Sequence, residues 1–296
     1  MSNATAQLGE LTVHRIGFGA MQLAGPGVFG PPADPDGARA VLRRAVELGV
    51  DHVDTAQFYG PDVVNDLIRE ALHSYDADLR LVTKVGARRD AEGAWIPAGR
   101  PEELVEQVEA NLRALGTASL AAVNLRRFEK QEPEADAPLD DQLAALVRLR
   151  DEGKIQGIGV SNVGLETVQR AIDTVGIVCV QNAFGILDQS DRAVLDLTRE
   201  HGVAYVPFFP LGSAFTGGPA VIAADPTIQE VAARHGATAT QVALAWVLAQ
   251  GEHVLLIPGT RSVAHLEENL AVADVELSDE DLAALATVDA GPLTSH

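Results

Sequence analysis

At 296 residues, 47% of them hydrophobic, the chain is long enough for one large α/β barrel or two ordinary domains with a full core. Its 22 basic against 42 acidic side chains leave a net charge of −20, which argues against nucleic acid or an anionic membrane as partner and requires a local donor cluster for any anionic cofactor. The single cysteine, Cys179, permits no intrachain disulfide, and the eight histidines include no HExxH or other close ligand spacing, so no metal is expected.

The N-terminal MSNATAQLGELTVHR has no basic stretch followed by an apolar one, and no apolar run is long enough to span a bilayer, so a soluble cytoplasmic protein is expected. Gln7 to Arg15 reads as two short strands around Leu8-Gly9-Glu10. Ile16 to Met21 begins a regular alternation, and Gly37 to Leu48 carries a helical stripe behind the candidate N-caps Asp34 and Asp36. A strand at Val50 to Asp54, a helix from Asp62 to Leu72 and a strand at Leu79 to Lys84 follow. Pro101-Glu102-Glu103 then opens a longer helix that runs to Leu115. Strands are expected at 120–125, 155–160, 177–180, 203–207 and 254–257, and helices at 140–150, 165–172, 192–201, 238–249 and 264–270.

These are eight strand and helix pairs whose strands are apolar runs, as parallel strands under a ring of helices require. The expected fold is a (β/α)8 TIM barrel with a short N-terminal β-hairpin, forming one domain over residues 1–296. A two-domain reading needs a central linker, and the loose stretch from Arg127 to Pro138 is only one loop long. No GxGxxG fingerprint, P-loop or GxSxG elbow is present.

The chemistry gathers around VDHVDTAQFYG, Val50 to Gly60, and Lys84 in LRLVTKVG. Asp54 ends one strand, Tyr59 follows five residues later, and Lys84 ends the next strand, so in a parallel sheet a carboxylate, a phenol and an ammonium meet at one rim. A buried ammonium is expected to lower the tyrosine pKa from about 10 while the carboxylate keeps the lysine charged, a set suited to protonating a carbonyl oxygen. The plainer reading is a turn-capping Asp, a snorkelling Lys and a half-buried Tyr. Arg126, Ser161, Asn162, Gln181 and Phe208 also fall at strand C-termini, where barrel enzymes keep their chemistry, and this shared placement favours the catalytic reading.

Nearly the whole chain resembles the aldo-keto reductase family. The resemblance rests on GFGAMQL at Gly17, DTAQFYG at Asp54, TKVG at Thr83, GIGVSN at Gly157, VQNAFG at Val180, FFPLGS at Phe208 and IPGTRSVAHLEENL at Ile257. It implies a monomeric barrel that binds NADPH across its mouth and transfers hydride to an aldehyde or ketone. Carried over residue by residue, it makes Tyr59 the general acid tuned by Asp54 and Lys84, and places Ser161, Asn162 and Gln181 on the nicotinamide carboxamide with Phe208 stacked on its ring. It sets Gly19, Ala20, Met21, Pro210, Leu211 and Ser213 along the cofactor. Thr260, Arg261 and Ser262 fall at the adenosine phosphate, and Glu268 and Asn269 at the adenine. A guanidinium flanked by hydroxyls at a helix start suits a 2′-phosphate, hence NADPH over NADH.

One position departs from the family. Its usual catalytic histidine aligns with Arg126, which stays charged and exchanges no proton near neutrality, so the acid role falls wholly on Tyr59. Arg126 can still stabilise charge on the carbonyl oxygen or bind an anionic neighbour of the carbonyl. Within the family, AMQLAGPGVFGPP, VNLR and YVPFFPLG most resemble bacterial pyridoxal reductases. This implies reduction of pyridoxal to pyridoxine, with Phe29, Trp95 and Phe128 joining Tyr59 and Arg126 around the substrate. Two readings stand beside it: a reductase of another aldehyde or ketone, and an NADPH-binding accessory subunit, against which the intact Asp54, Tyr59 and Lys84 argue.

Overall fold

The computed structural model describes residues 4–130, 137–212 and 217–288. The chain opens with the expected antiparallel hairpin, β1 (Thr5–Leu8) and β2 (Leu11–His14), turned at Gly9, whose φ of +63° favours a residue without Cβ. Ala6, Leu8 and Val13 pack with Val82, Ala122, Cys179, Ala204, Val206 and Leu255 in one apolar cluster. The hairpin thereby plugs the N-terminal end of a barrel and leaves the opposite end for chemistry.

The barrel strands are β3 (Phe18–Gly19), β4 (His52–Asp54), β5 (Arg80–Arg89) with its antiparallel return β6 (Trp95–Ala98), β7 (Leu120–Arg126), β8 (Ile155–Ser161), β9 (Cys179–Gln181) and β10 (Ala204–Tyr205). Apart from β6 they pair in parallel in chain order. The expected strand at Val254 to Ile257 supplies only single parallel pairs, Val254 with Tyr205 and Leu256 with Ile16, and these close the ring. Its backbone leans inward there: a Cβ on Gly19 would stand 2.4 Å from the Ile257 carbonyl oxygen.

The outer layer comprises α1 (Pro35–Glu47), α2 (Val63–Leu72), α3 (Pro101–Leu115), α4 (Leu139–Asp151), α5 (Leu165–Val175), α6 (Arg192–Glu200), α7 (Gly218–Ala224), α8 (Pro226–His235), α9 (Ala239–Leu248), α10 (Val263–Leu270) and α11 (Asp279–Leu285). Asp34 caps α1 by accepting the Gly37 N–H at 2.9 Å, and Ala38, Val41, Leu42 and Ala45 form its buried stripe. Each fully buried Leu or Val of such a stripe contributes roughly 1.5–3 kcal/mol. Helix α9 instead buries every residue from Val242 to Val247 beneath α7, α8 and α10. The β6 hairpin and α7, α8 and α11 are additions to the expected order, and part of the Arg127 to Pro138 loop lies outside the described residues.

Candidate active site

Parallel registry sets the site's level. Gly19 pairs with Asp54, Asp54 with Val82, Arg126 with Ser161, and Ser161 with Gln181. Val82 and Lys84 share a face by the strand's period of two, so Lys84 points inward just above Asp54. Its ammonium donates to Asp54 Oδ1 and, at 3.2 Å, to the Thr55 carbonyl, while Gln181 Nε2 donates to Asp54 Oδ2 at 2.9 Å. Tyr59 brings its ring centroid 5.1 Å from Lys84 Nζ, and all three residues are buried, at 4, 5 and 6% exposure for Asp54, Tyr59 and Lys84. The sequence-predicted triad is therefore one contiguous cluster. Lys84 does not end its strand, however; β5 runs on to Arg89.

The expected lowering of the tyrosine pKa is overturned. Burial is the largest influence and raises it; the positive charges of Lys84 and Arg126 pull it down, Asp54 pushes it up, and the net direction is upward. Burial also opposes the Lys84 charge, but Asp54 and Tyr59 outweigh it and raise the lysine pKa. The site thus holds a neutral phenol beside a fixed ammonium throughout the neutral range. That is the state a proton donor needs, and the reverse reaction, which needs phenolate, gains as pH rises.

Sequence reasoning missed the support behind this cluster. Thr55 and Thr83 turn outward, and their hydroxyls join a buried chain: Thr55 donates to Asn65 at 2.8 Å, Asn65 to Asn111 at 2.9 Å, and Thr83 to Asn111 at 2.7 Å. Asn111 also donates to the Gln107 carbonyl at 2.8 Å. This fixes the end of β4 and the middle of β5 against α2 and α3. Polar residues at those buried helix positions are the signal that could have revealed it.

Around the mouth the structure offers sites for a dinucleotide. Ser161 Oγ and Gln181 Oε1, on register-paired residues of neighbouring strands, are buried without a partner among the described residues and can both accept from a carboxamide NH2. Asn162, in the left-handed region at φ +59°, spends its side-chain N–H on the Arg127 carbonyl at 2.7 Å. Phe208, half-buried, faces Phe209 edge-on. Gly19 and Gly259 meet backbone to backbone, where a Cβ on either would stand 2.4 Å from a carbonyl oxygen, and Ala20 and Met21 follow in a 3-10 turn. Pro210 packs its carbonyl onto Gly185 beside a half-buried Leu211; Ser213 lies outside the described residues.

At the start of α10, Ser262 is the N-cap, Thr260 Oγ1 accepts the Ser262 N–H at 3.1 Å, and Arg261 stands exposed with no partner among the described residues. Asn269 is buried nearby. The Glu268 carboxylate accepts from Thr238 Oγ1 at 2.7 Å. The residues present fit a phosphorylated nicotinamide dinucleotide: acceptors for an amide, a glycine-lined approach and a guanidinium at a helix N-terminus.

Arg126 lies with Cζ 5.8 Å from both the Phe128 and Phe208 ring centroids. Phe128 is buried, and its ring backs the guanidinium. Trp95 stands edge-on to Phe58 and Tyr59, at 5.2 and 6.4 Å between centroids, and with Phe29 is among the exposed large hydrophobic residues. A neutral phenol, a fixed ammonium, a second cation and neighbouring aromatic rings form a site suited to protonating a carbonyl oxygen.

Comparison with known proteins agrees with this geometry. The model of the aldo/keto reductase family matches residues 15–290. The chain is 48% identical over 286 residues to pyridoxine 4-dehydrogenase of Escherichia coli, covering 96% of this chain and 98% of that protein. Among solved structures it resembles a thermostable aldo-keto reductase in complex with the inhibitor epalrestat (TM-score 0.80, 29% identity, 96% of this chain and 98% of the other). It also resembles an aldo/keto reductase from Klebsiella pneumoniae in complex with NADP and acetate (TM-score 0.79, 26% identity, 96% and 94% covered). A barrel closed at one end by a hairpin, with aspartate, tyrosine and lysine joined at the other, and a family match over almost its full length place this chain in the aldo/keto reductase family.

Proposed function

We propose that the chain reduces pyridoxal to pyridoxine with NADPH. The observation that carries this reading is the joining of Tyr59, Lys84 and Asp54 beneath a guanidinium, Arg126, flanked by aromatic rings. The nicotinamide, when bound, supplies hydride to the aldehyde carbon. Tyr59 gives its proton to the aldehyde oxygen as that oxygen becomes an alkoxide, and Lys84 stabilises the phenolate left behind. Asp54, gripped by Lys84 and Gln181, keeps the ammonium aimed. Arg126 binds the phenolic oxygen that pyridoxal carries beside its aldehyde. Ser161, Asn162 and Gln181 hold the carboxamide, Phe208 covers the ring, and Thr260, Arg261 and Ser262 hold the 2′-phosphate. The relative's name and the NADP complex of the Klebsiella enzyme support both assignments. A monomeric, cytoplasmic enzyme of vitamin B6 metabolism belongs to the same proposal, its size checked by light scattering.

Arg126 offers the test. Only pyridoxal loses a charged contact when the guanidinium goes, so Arg126→Ala should cost pyridoxal at least about 1 kcal/mol more than an aldehyde without the adjacent oxygen, a several-fold divergence in kcat/KM. Arg126→His should restore simple aldehydes better than pyridoxal, because imidazole lacks the two-pronged fork. Parallel losses in both variants would leave Arg126 with the common oxyanion alone and remove the argument for pyridoxal.

For the cofactor, Arg261→Ala should weaken NADPH far more than NADH. Arg261 is exposed, so the lower end of the roughly 1.5–3 kcal/mol for a charge-assisted bond applies, about tenfold in Kd. Fluorescence titrations with both nucleotides read it out, and equal losses would make Arg261 structural.

A further inference from the structure

The sequence gives Arg89 no role, yet it is tied to both sides of the mouth. Its Nε and Nη2 donate to the Gly93 carbonyl at 2.9 and 2.6 Å, Nη1 to the Val28 carbonyl at 2.9 Å, and Nη2 to the Gly27 carbonyl at 2.9 Å. The same guanidinium lies 4.2 Å from the Trp95 ring centroid and 5.4 Å from that of Phe29. One side chain therefore fastens the loop after β3 to the hairpin of β5 and β6 while backing two aromatic rings. Trp95 is edge-on to Tyr59 and remains 39% exposed.

The fastened loop is strained. Val28 adopts φ +58°, a region in which a β-branched residue is an outlier, between Gly27 at +67° and Gly30 at +70°. Its carbonyl also accepts the Gly60 N–H at 3.2 Å, so the clamp reaches the residue next to Tyr59. Strain of this kind persists only where the surroundings hold it, and the rigid planar fork of a guanidinium spreads its donors over three carbonyls, whereas an ammonium is a single point of donation.

We propose that Arg89 is a positioning residue that pre-forms an aromatic wall of Phe29 and Trp95 beside Tyr59 and makes the site selective for aldehydes borne on planar rings. The proposal rests on the carbonyl-reductase reading of this site, though not on pyridoxal as substrate. Holding the wall before substrate arrives removes the ordering cost that binding would otherwise meet, and stacking rewards only a ring.

The test uses Arg89→Met and Arg89→Lys in the full chain, with benzaldehyde and propanal as substrates and the emission of Trp95 assigned by difference from W95F. Loss of the clamp should raise KM for benzaldehyde on the order of tenfold with little change in kcat, while propanal changes by at most about twofold. Trp95 emission should move to the red and its quenching by acrylamide should increase. Arg89→Lys keeps the charge without the fork and should show the same split in smaller measure; it decides the matter if the methionine variant does not fold. Parallel effects on both aldehydes, or an unchanged Trp95 emission, overturn the proposal. If the wild type reduces neither aldehyde and pyridoxal is not reduced either, the reductase reading falls, and the emission result alone judges the wall.

Discussion

Replacing Tyr59 by phenylalanine should slow carbonyl reduction by about 100- to 10,000-fold, the usual contribution of a positioned general acid, while NADPH affinity stays nearly unchanged. The ring should remain in place, because it is buried and held edge-on by Phe58 and Trp95, so the substitution removes the proton donor and little else. No other group can substitute: Lys84 is held charged by Asp54, and Arg126 does not release a proton near neutrality. Single-turnover hydride transfer, followed by loss of reduced-nicotinamide absorbance, is the measurement. A rate within a few-fold of wild type would take Tyr59 out of its role.

Lys84→Met should cut turnover to a small residual rate and weaken the fold. It leaves the Asp54 carboxylate buried with Gln181 as its one side-chain donor among the described residues, and breaking a buried ion pair costs about 3–5 kcal/mol. Thermal unfolding of the cofactor-free protein should register this as a drop of several degrees. Removing both partners in Lys84→Met/Asp54→Leu should restore much of the stability, since a buried pair is weakly stabilising against apolar residues, but none of the activity. The ammonium also pulls the Tyr59 pKa down, so its loss should move the rise of alcohol oxidation, where phenolate is the base, to higher pH. Recovery of turnover in the double variant, or an unshifted profile in the single one, would separate Lys84 from the tyrosine.

The family motifs made Asp54, Tyr59 and Lys84 legible before the structure, and a strand end marked Asp54, whereas Lys84 lies in the middle of its strand. Other elements were equally signalled but blurred by composition. Helix α8 has its N-cap Asp225, Pro226 at its first position and Gly236 after its end, yet it sits in an Ala-rich stretch without a strong stripe. The β5–β6 hairpin was hidden because its return strand is only Trp95-Ile96-Pro97-Ala98, with a proline inside and no clean alternation. The direction of the tyrosine pKa was beyond the sequence, since it depends on burial outweighing a charge nearby. Arg89 was invisible for a related reason: it bonds Val28 across 61 residues, and nothing local marks the partner.

The central claim is tested most directly by mixing the purified protein and NADPH with pyridoxal, pyridoxal phosphate and propanal in turn and measuring kcat/KM alongside the alcohol formed. The account predicts the highest value for pyridoxal, with one pyridoxine produced for each NADPH oxidised. NADPH that binds tightly yet is oxidised by none of the three, or oxidised by propanal and not by pyridoxal, would contradict it.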